Sequence, residues 1–323
     1  MTGIPVVLDV DTGVDDSLAL LLAARSPALN LLGATCVTGN VAVDKVVDNT
    51  LKVLAVAGRG DVPVAIGRDQ PLLEKVVSAA YVHGEDGLGG LNASLPAPAR
   101  DPEPVHAVDF LANLLATASE PVTLIPLGPL TNIAVLLRER PEAVAGIHRI
   151  VLMGGAVGSG NASAVAEFNI RQDPEAAEIV LTSGLDVTLY TWDVFTQVTF
   201  SATEAAGMMG SDSPSAQLAG RLMDFMLRNH DDRTETSIGD AGAVASVIEP
   251  EGLETRQWPM RVELTGTWTR GMTVADQRPG AWVHKESAWQ PPMGNLVSVS
   301  TAVDVERFRT LFRQAVENPA DPE

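Results

Sequence analysis

The chain has 323 residues, and 22 Lys and Arg stand against 41 Asp and Glu, a formal net charge of −19 at pH 7. That balance excludes a nonspecific nucleic-acid binder, which a polyphosphate backbone would repel, but not a small anionic ligand at a local site. Hydrophobic residues make up 46%, enough for a sizeable core and too many for a disordered chain. In chain order, residues 5–9 read as a strand and 16–25 as a helix, apolar nearly all round and stopped by Ser26-Pro27. A strand at 31–37, an amphipathic helix at 41–57 and a short strand at 62–66 follow. Residues 82–100 are Gly-, Pro- and Asn-rich and read as loop. Helices are expected at 106–118, 130–138 and 174–181, the last capped by Asp173. Strands are expected at 122–127, 147–153 and 187–190.

This alternation predicts an α/β fold, a mostly parallel central sheet with helices on both faces. After residue 200 come helices near 202–209 and 214–229, a polar tract at 230–237 and a short helix at 241–248. Strands near 260–266, 272–277 and 296–301 and a last helix at 305–316 complete the chain. The late strands are expected to extend the same sheet, so that residues 1–323 form a single domain. The one cysteine, Cys36, permits no disulfide and reads as a small core residue. No apolar run approaches the roughly 20 residues a bilayer requires, and the first residues lack signal-peptide character. The expectation is a cytoplasmic protein with no membrane partner.

The sharpest feature is Asp9-Val-Asp11-Thr-Gly-Val-Asp15-Asp16, at the end of the first strand and the start of the buried helix. Ligands of open α/β sheets bind outside the carboxyl ends of the strands. One aspartate there could simply cap the helix. Four in eight residues would repel one another unless a cation offset them, and an all-oxygen set with no nearby His or Cys favours Ca²⁺ or Mg²⁺ over Zn²⁺.

Two enzyme classes share such a cluster. The Asp-x-Asp start and Ile238-Gly239-Asp240 resemble haloacid-dehalogenase-type phosphatases. The fuller pattern Asp-x-Asp-x-Gly-x-Asp-Asp resembles nucleoside hydrolases, as do Val37-Thr-Gly-Asn-Val41, His83-Gly-Glu-Asp-Gly-Leu-Gly89 and Leu127-Gly-Pro-Leu-Thr-Asn-Ile133. Met153-Gly-Gly155, Ala166-Glu-Phe-Asn-Ile170, Asp173-Pro-Glu-Ala-Ala177 and Arg270-Gly-Met-Thr-Val-Ala-Asp276 are similar to later stations of that family, so the resemblance runs from about residue 5 to 310. It implies metal-dependent hydrolysis of the N-glycosidic bond of ribonucleosides. Ca²⁺ would be held by Asp11, Asp16, the Leu127 carbonyl and Asp240, Asp11 would take the proton of the attacking water, and Asp9 would orient a ligand or Asn40. Asp15, Asn40, Asn161, Glu167 and Asn169 would bind the sugar, Met153 would pack under it, and His83 and His230 would reach the base. The family implies a homodimer or homotetramer.

The pattern breaks at one place. Many relatives carry a His just before the late metal-binding Asp, able to protonate the departing base, and this chain has Gly239 there. Another acid could substitute, stacking on a tryptophan (Trp192, Trp268, Trp282 or Trp289) could activate the base, or the protein could bind nucleosides or ribose without turning them over. On this reading Gly239→His returns an acid to the site.

Overall fold

The computed structural model describes residues 3–229, 233–278 and 294–318. Eleven strands and twelve α-helices are named here. The first half comprises β1 (Ile4–Val10), α1 (Val14–Arg25), β2 (Leu29–Cys36), α2 (Val43–Val56), β3 (Val64–Ile66), α3 (Ala80–His83), α4 (Ala107–Thr117), β4 (Val122–Pro126), α5 (Thr131–Glu139) and β5 (Ile147–Met153). The second comprises α6 (Phe168–Gln172), α7 (Pro174–Leu181), β6 (Val187–Tyr190), α8 (Trp192–Phe195), β7 (Thr199–Ser201), α9 (Ala202–Met209), α10 (Pro214–Arg228), β8 (Glu235–Ser237), α11 (Ala241–Ile248), β9 (Leu253–Val262), β10 (Thr273–Ala275), β11 (Leu296–Val303) and α12 (Val305–Glu317).

Nine strands form one sheet in the order β10-β9-β11-β6-β5-β4-β1-β2-β3. From β3 to β11 every pairing is parallel, and β9 runs antiparallel to both β11 and β10. The late strands therefore do extend the sheet. β9 begins earlier than expected, because LETRQWPMRV is largely exposed and its polar side chains hide the strand from an apolar-run reading. The 82–100 stretch carries the end of α3 and a 3-10 turn, and β7 with β8 makes a separate two-stranded sheet.

Alternation along β1 explains the two layers. Val6, Leu8 and Val10 join a core with α1, α2, α10, α11 and α12, while Val7 joins the opposite core with α4, α5 and α7. Helix α1 packs against α2, α10, α11 and α12 as well as the sheet, which is why it is apolar all round. The chain leaves β1 toward β2 on one side and returns to β4 on the other, so β1 lies at the switch point where a crevice opens beyond the strand ends.

Candidate active site

The crevice holds a cavity of about 470 Å³. Ten of the twelve expected site residues line it: Asp11, Asp15, Asn40, His83, Leu127, Met153, Asn161, Glu167, Asn169 and Asp240. Asp16 is fully buried and hydrogen-bonded to Asn40 and Asp11 of the lining, and His230 lies outside the described residues.

The floor grows from the strand ends. Helix α1 starts at Val14, and Asp16 in its first turn accepts from the Gly13 N–H (2.9 Å), the Asp11 N–H (3.1 Å) and Asn40 Nδ2 (3.1 Å). Helix capping and cluster formation are thus performed by one carboxylate. Asp11 accepts from the Asn40 N–H at 2.8 Å. Two glycines make this approach possible: a β-carbon on Gly39 would collide with Asp11 Oδ2, and one on Gly128 would lie 2.7 Å from Asp11 Oδ1. Asp9 makes no hydrogen bond to Asn40, one of the two roles expected of it. Its Oδ1 accepts from Thr35 Oγ1 (2.6 Å) and Asn132 Nδ2 (2.8 Å), stitching β1 to β2 and α5.

Asn169 bridges the floor, donating from Nδ2 to the Leu127 carbonyl (2.7 Å), the Met153 carbonyl (3.2 Å) and Met153 Sδ (3.3 Å). Met153 is both core and cavity wall. Glu167 caps α6, accepting from the Gly155, Asn169 and Ile170 N–H groups at 3.0, 2.9 and 3.2 Å. Asn161 Oδ1 accepts from the Phe168 N–H at 2.8 Å. The Arg270–Asp276 stretch does not line the cavity. Arg270 pairs with Glu74 and Glu175, and Thr273 Oγ1 ties down the Ala156 backbone, so this motif props the loops around the site.

Electrostatically the floor is a concentrated acidic well. Burial, then repulsion from Asp16, raises Asp11 far above the usual carboxylate range. Burial and Asp15 do the same to Asp240 and push Asp16 up to about 7. Burial alone pushes Glu167 up to about 7 against its backbone donors, and Asp9 likewise against Asn132 and Thr35. Ligand oxygens of Asp15, Asp16 and Asp240 lie within 4.8 Å of one another. That closest set includes Asp15, expected on the sugar, and omits the expected ligand Asp11, whose N–H nonetheless bonds Asp16. Asp15 Oδ1 is buried without a hydrogen-bond partner. A buried oxygen left unpaired among raised carboxylates fits a hard divalent cation that would offset both costs.

The opposite wall is apolar, and sequence reasoning found little of it. Trp192 and Phe195 of α8 stack with centroids 4.7 Å apart, and Met223 and Met226 of α10, Phe168 and Tyr81 add to them. Trp268 is 87% exposed and elsewhere, and Trp282 and Trp289 lie outside the described residues. His83 Nδ1 accepts from the Val14 N–H at 3.2 Å and sits 3.7 Å from Asp15 Oδ1. Burial lowers its pKa, and Asp15 opposes that shift. Gly239 has φ +55°, and a β-carbon there would lie 2.7 Å from both Phe195 Cζ and the Asp15 β-carbon. The missing histidine is therefore not an empty place that a substitution refills: the Phe195 ring stands in it and the backbone is left-handed.

The model of the family described as inosine-uridine preferring nucleoside hydrolase matches residues 6–310. The chain belongs to this nucleoside hydrolase family. It is 41% identical over 277 residues to the pyrimidine-specific ribonucleoside hydrolase RihA of Photobacterium profundum, covering 84% of this chain and 89% of the relative. Among solved structures, the plant nucleoside hydrolase PpNRh1 superposes with TM-score 0.90 at 29% identity, covering 98% of this chain and 99% of its own. The purine-preferring ribonucleoside hydrolase from Gardnerella vaginalis does so with TM-score 0.86 at 31% identity, covering 97% and 98%. As a nucleoside hydrolase the chain is an enzyme, a nucleosidase that splits ribonucleosides into ribose and free base. The phosphatase resemblance of the acidic cluster is set aside by a family match that spans nearly the whole chain. No helix among the described residues is long and apolar enough to cross a membrane.

Proposed function

We propose that this nucleosidase is a Ca²⁺-dependent hydrolase of pyrimidine ribonucleosides, acting in salvage in the cytoplasm as a homodimer or homotetramer. The observation that carries the metal reading is the acidic floor with its unpaired Asp15 oxygen. The pyrimidine reading leans on the RihA relatives.

Asp11, Asp16, the Leu127 carbonyl and Asp240 would hold the ion, with Asp15 close enough to share in it. When bound, the ion would supply positive charge that acidifies a water and attracts sugar hydroxyls. Asp11, fixed by the Asn40 N–H, accepts the proton as the water attacks C1′. Asn40, Asn161, Glu167 and Asn169 border the sugar, and the carboxylate surroundings favour the positive charge that develops on the ring. The apolar half of the cavity takes the base, with Trp192 and Phe195 as its stacking surface.

The test is a panel of purine and pyrimidine ribonucleosides and their 2′-deoxy counterparts, with Ca²⁺ present. Polar groups built to bond a hydroxyl reject the analogue lacking it by about 10⁴-fold. Uridine and cytidine turnover with 2′-deoxyuridine lower by that order supports the reading. Equal rates on ribo- and deoxyribonucleosides would remove the sugar assignment, and faster purine turnover would remove the pyrimidine one. Binding without base release from any member would return the noncatalytic alternative.

A further inference from the structure

Breaking the C1′–N bond leaves an electron pair on the departing base, and the position from which many relatives could protonate it is Gly239, where no side chain fits. The polar side-chain groups lining the cavity are carboxylates, amides and hydroxyls, with three exceptions among the described residues: His83, Trp192 and Arg233. His83 accepts the Val14 N–H at Nδ1, which places its own proton on Nε2 and makes it a neutral donor. Arg233 is the one permanently cationic side chain in that lining among the described residues.

Its place in the fold sets which half of the cavity it serves. Residues 233 and 235–237 line the cavity and lead into Gly239 and Asp240. β8 pairs with β7, the Ile238 N–H donates to the Val198 carbonyl, and Gly239 abuts Phe195. Arg233 lines the cavity at the exposed start of this segment, before the Glu235–Ser201 pair, while Asp240 of the acidic floor follows at its other end.

We propose that Arg233 is the leaving-group residue, stabilising the base as it departs. The oxygen of the attacking water bonds to C1′ and its proton passes to Asp11. The C1′–N1 bond breaks, and its electron pair moves onto N1 of the pyrimidine and, by resonance, onto the ring carbonyl oxygen. The guanidinium donates N–H hydrogen bonds to that anionic edge, and the released base takes its proton from solvent. A planar fork of donors suits the adjacent nitrogen and oxygen of a pyrimidine anion. The proposal rests on the reading of the apolar half as the base side.

The test compares Arg233→Ala and Arg233→Lys with the parent enzyme, each loaded with Ca²⁺, on uridine and on p-nitrophenyl β-D-ribofuranoside, whose phenolate leaves without such help. Removing a preorganised donor to a developing anion costs about 10²-fold in kcat. Arg233→Ala should lose about that on uridine and stay within about threefold on the nitrophenyl riboside, with Arg233→Lys in between and added guanidinium restoring part of the loss. Equal losses on the two substrates, a change confined to KM, or unchanged uridine turnover would overturn the assignment. Parent enzyme that turns over the nitrophenyl riboside but no nucleoside would overturn instead the base-side reading beneath it.

Discussion

The floor and the wall of the cavity are built on opposite principles. The floor is tied together: Asp11, Asp16, Asn40 and Leu127 follow closely on the ends of parallel strands, Asn169 reaches them from α6, and they hold one another by hydrogen bonds of 2.7–3.1 Å. The wall is assembled from α8, α10, the β7–β8 pair and the residues around α3, and sets the apolar Trp192, Phe195, Met223 and Met226 beside the polar Thr199, Glu235 and Ser237. The difference teaches where a hydrolase of this fold can vary. On the proposed assignment the sugar chemistry is locked into the sheet, while the means of releasing the base resides in loops and helices outside it.

The largest effect should come from the floor. Asp11→Asn keeps the shape but removes the proton acceptor, and kcat on uridine should fall by about 10³-fold. Unfolding should stay cooperative, since the Asn40 N–H still has an oxygen to bond. Turnover within tenfold of the parent enzyme would break the assignment of Asp11 and with it the contrast between floor and wall.

The wall should respond more gently and more selectively. Trp192→Ala removes a stacking face worth about 1–3 kcal/mol per base, so KM for uridine should rise about tenfold while kcat changes little. A loss confined to kcat would show that Trp192 serves the chemistry rather than the fit.

Gly239→His sharpens the comparison further. A non-glycine residue in left-handed backbone costs about 1–3 kcal/mol, and here its β-carbon also meets Phe195. Thermal unfolding should move down and activity should not rise. A gain in turnover on poor leaving groups would mean that the wall yields to an acid it does not now accommodate.

The smallest effect is on stability, and its sign follows from the raised carboxylates. Asp9, Asp16 and Glu167 have folded pKa values of about 7, above their ordinary values of 3.8, 3.8 and 4.5. The folded state then binds more protons than the unfolded chain between about pH 4 and 7, so metal-free protein loses stability as pH rises through that window. A cation in the well offsets the lost protons. At about 100 times its Kd it should raise the melting temperature by about 4 °C at pH 8 and by less at pH 5. A larger shift at pH 5 would contradict the electrostatic account of the floor.

The same division decides what can be read from the sequence. The parallel sheet is legible because buried strands are short apolar runs between helical patterns, and 147–153, 174–181, 187–190 and 241–248 fall where expected. The floor is legible because strand-end loops place neighbours in sequence next to one another in space, so a dense motif such as DVDTGVDD survives as a motif. Even so, the partners of Asp9, Thr35 and Asn132, come from 26 and 123 residues away and no local spacing reveals them. The wall is scarcely legible: Tyr81, the pair Trp192 and Phe195, the pair Met223 and Met226, and Arg233 come from four separate segments, and apart from Trp192, one of four tryptophans that could stack, each in isolation reads as ordinary core or surface. A positive φ at Gly239 and the ring beside it are tertiary facts, which is why a simple histidine replacement looks feasible from the chain alone. Arg233 carries one faint signal, as the only basic residue other than His230 in the polar tract 230–237.

The central claim is that the acidic floor cleaves ribonucleosides through a bound divalent cation. Its most direct test is release of free ribose from uridine, measured with Ca²⁺, after chelation and dialysis, and again after Ca²⁺ is restored. The account predicts release that disappears on chelation and returns with the ion. Undiminished release from protein shown to be metal-free would contradict it, because nothing would then offset the carboxylates gathered on the floor.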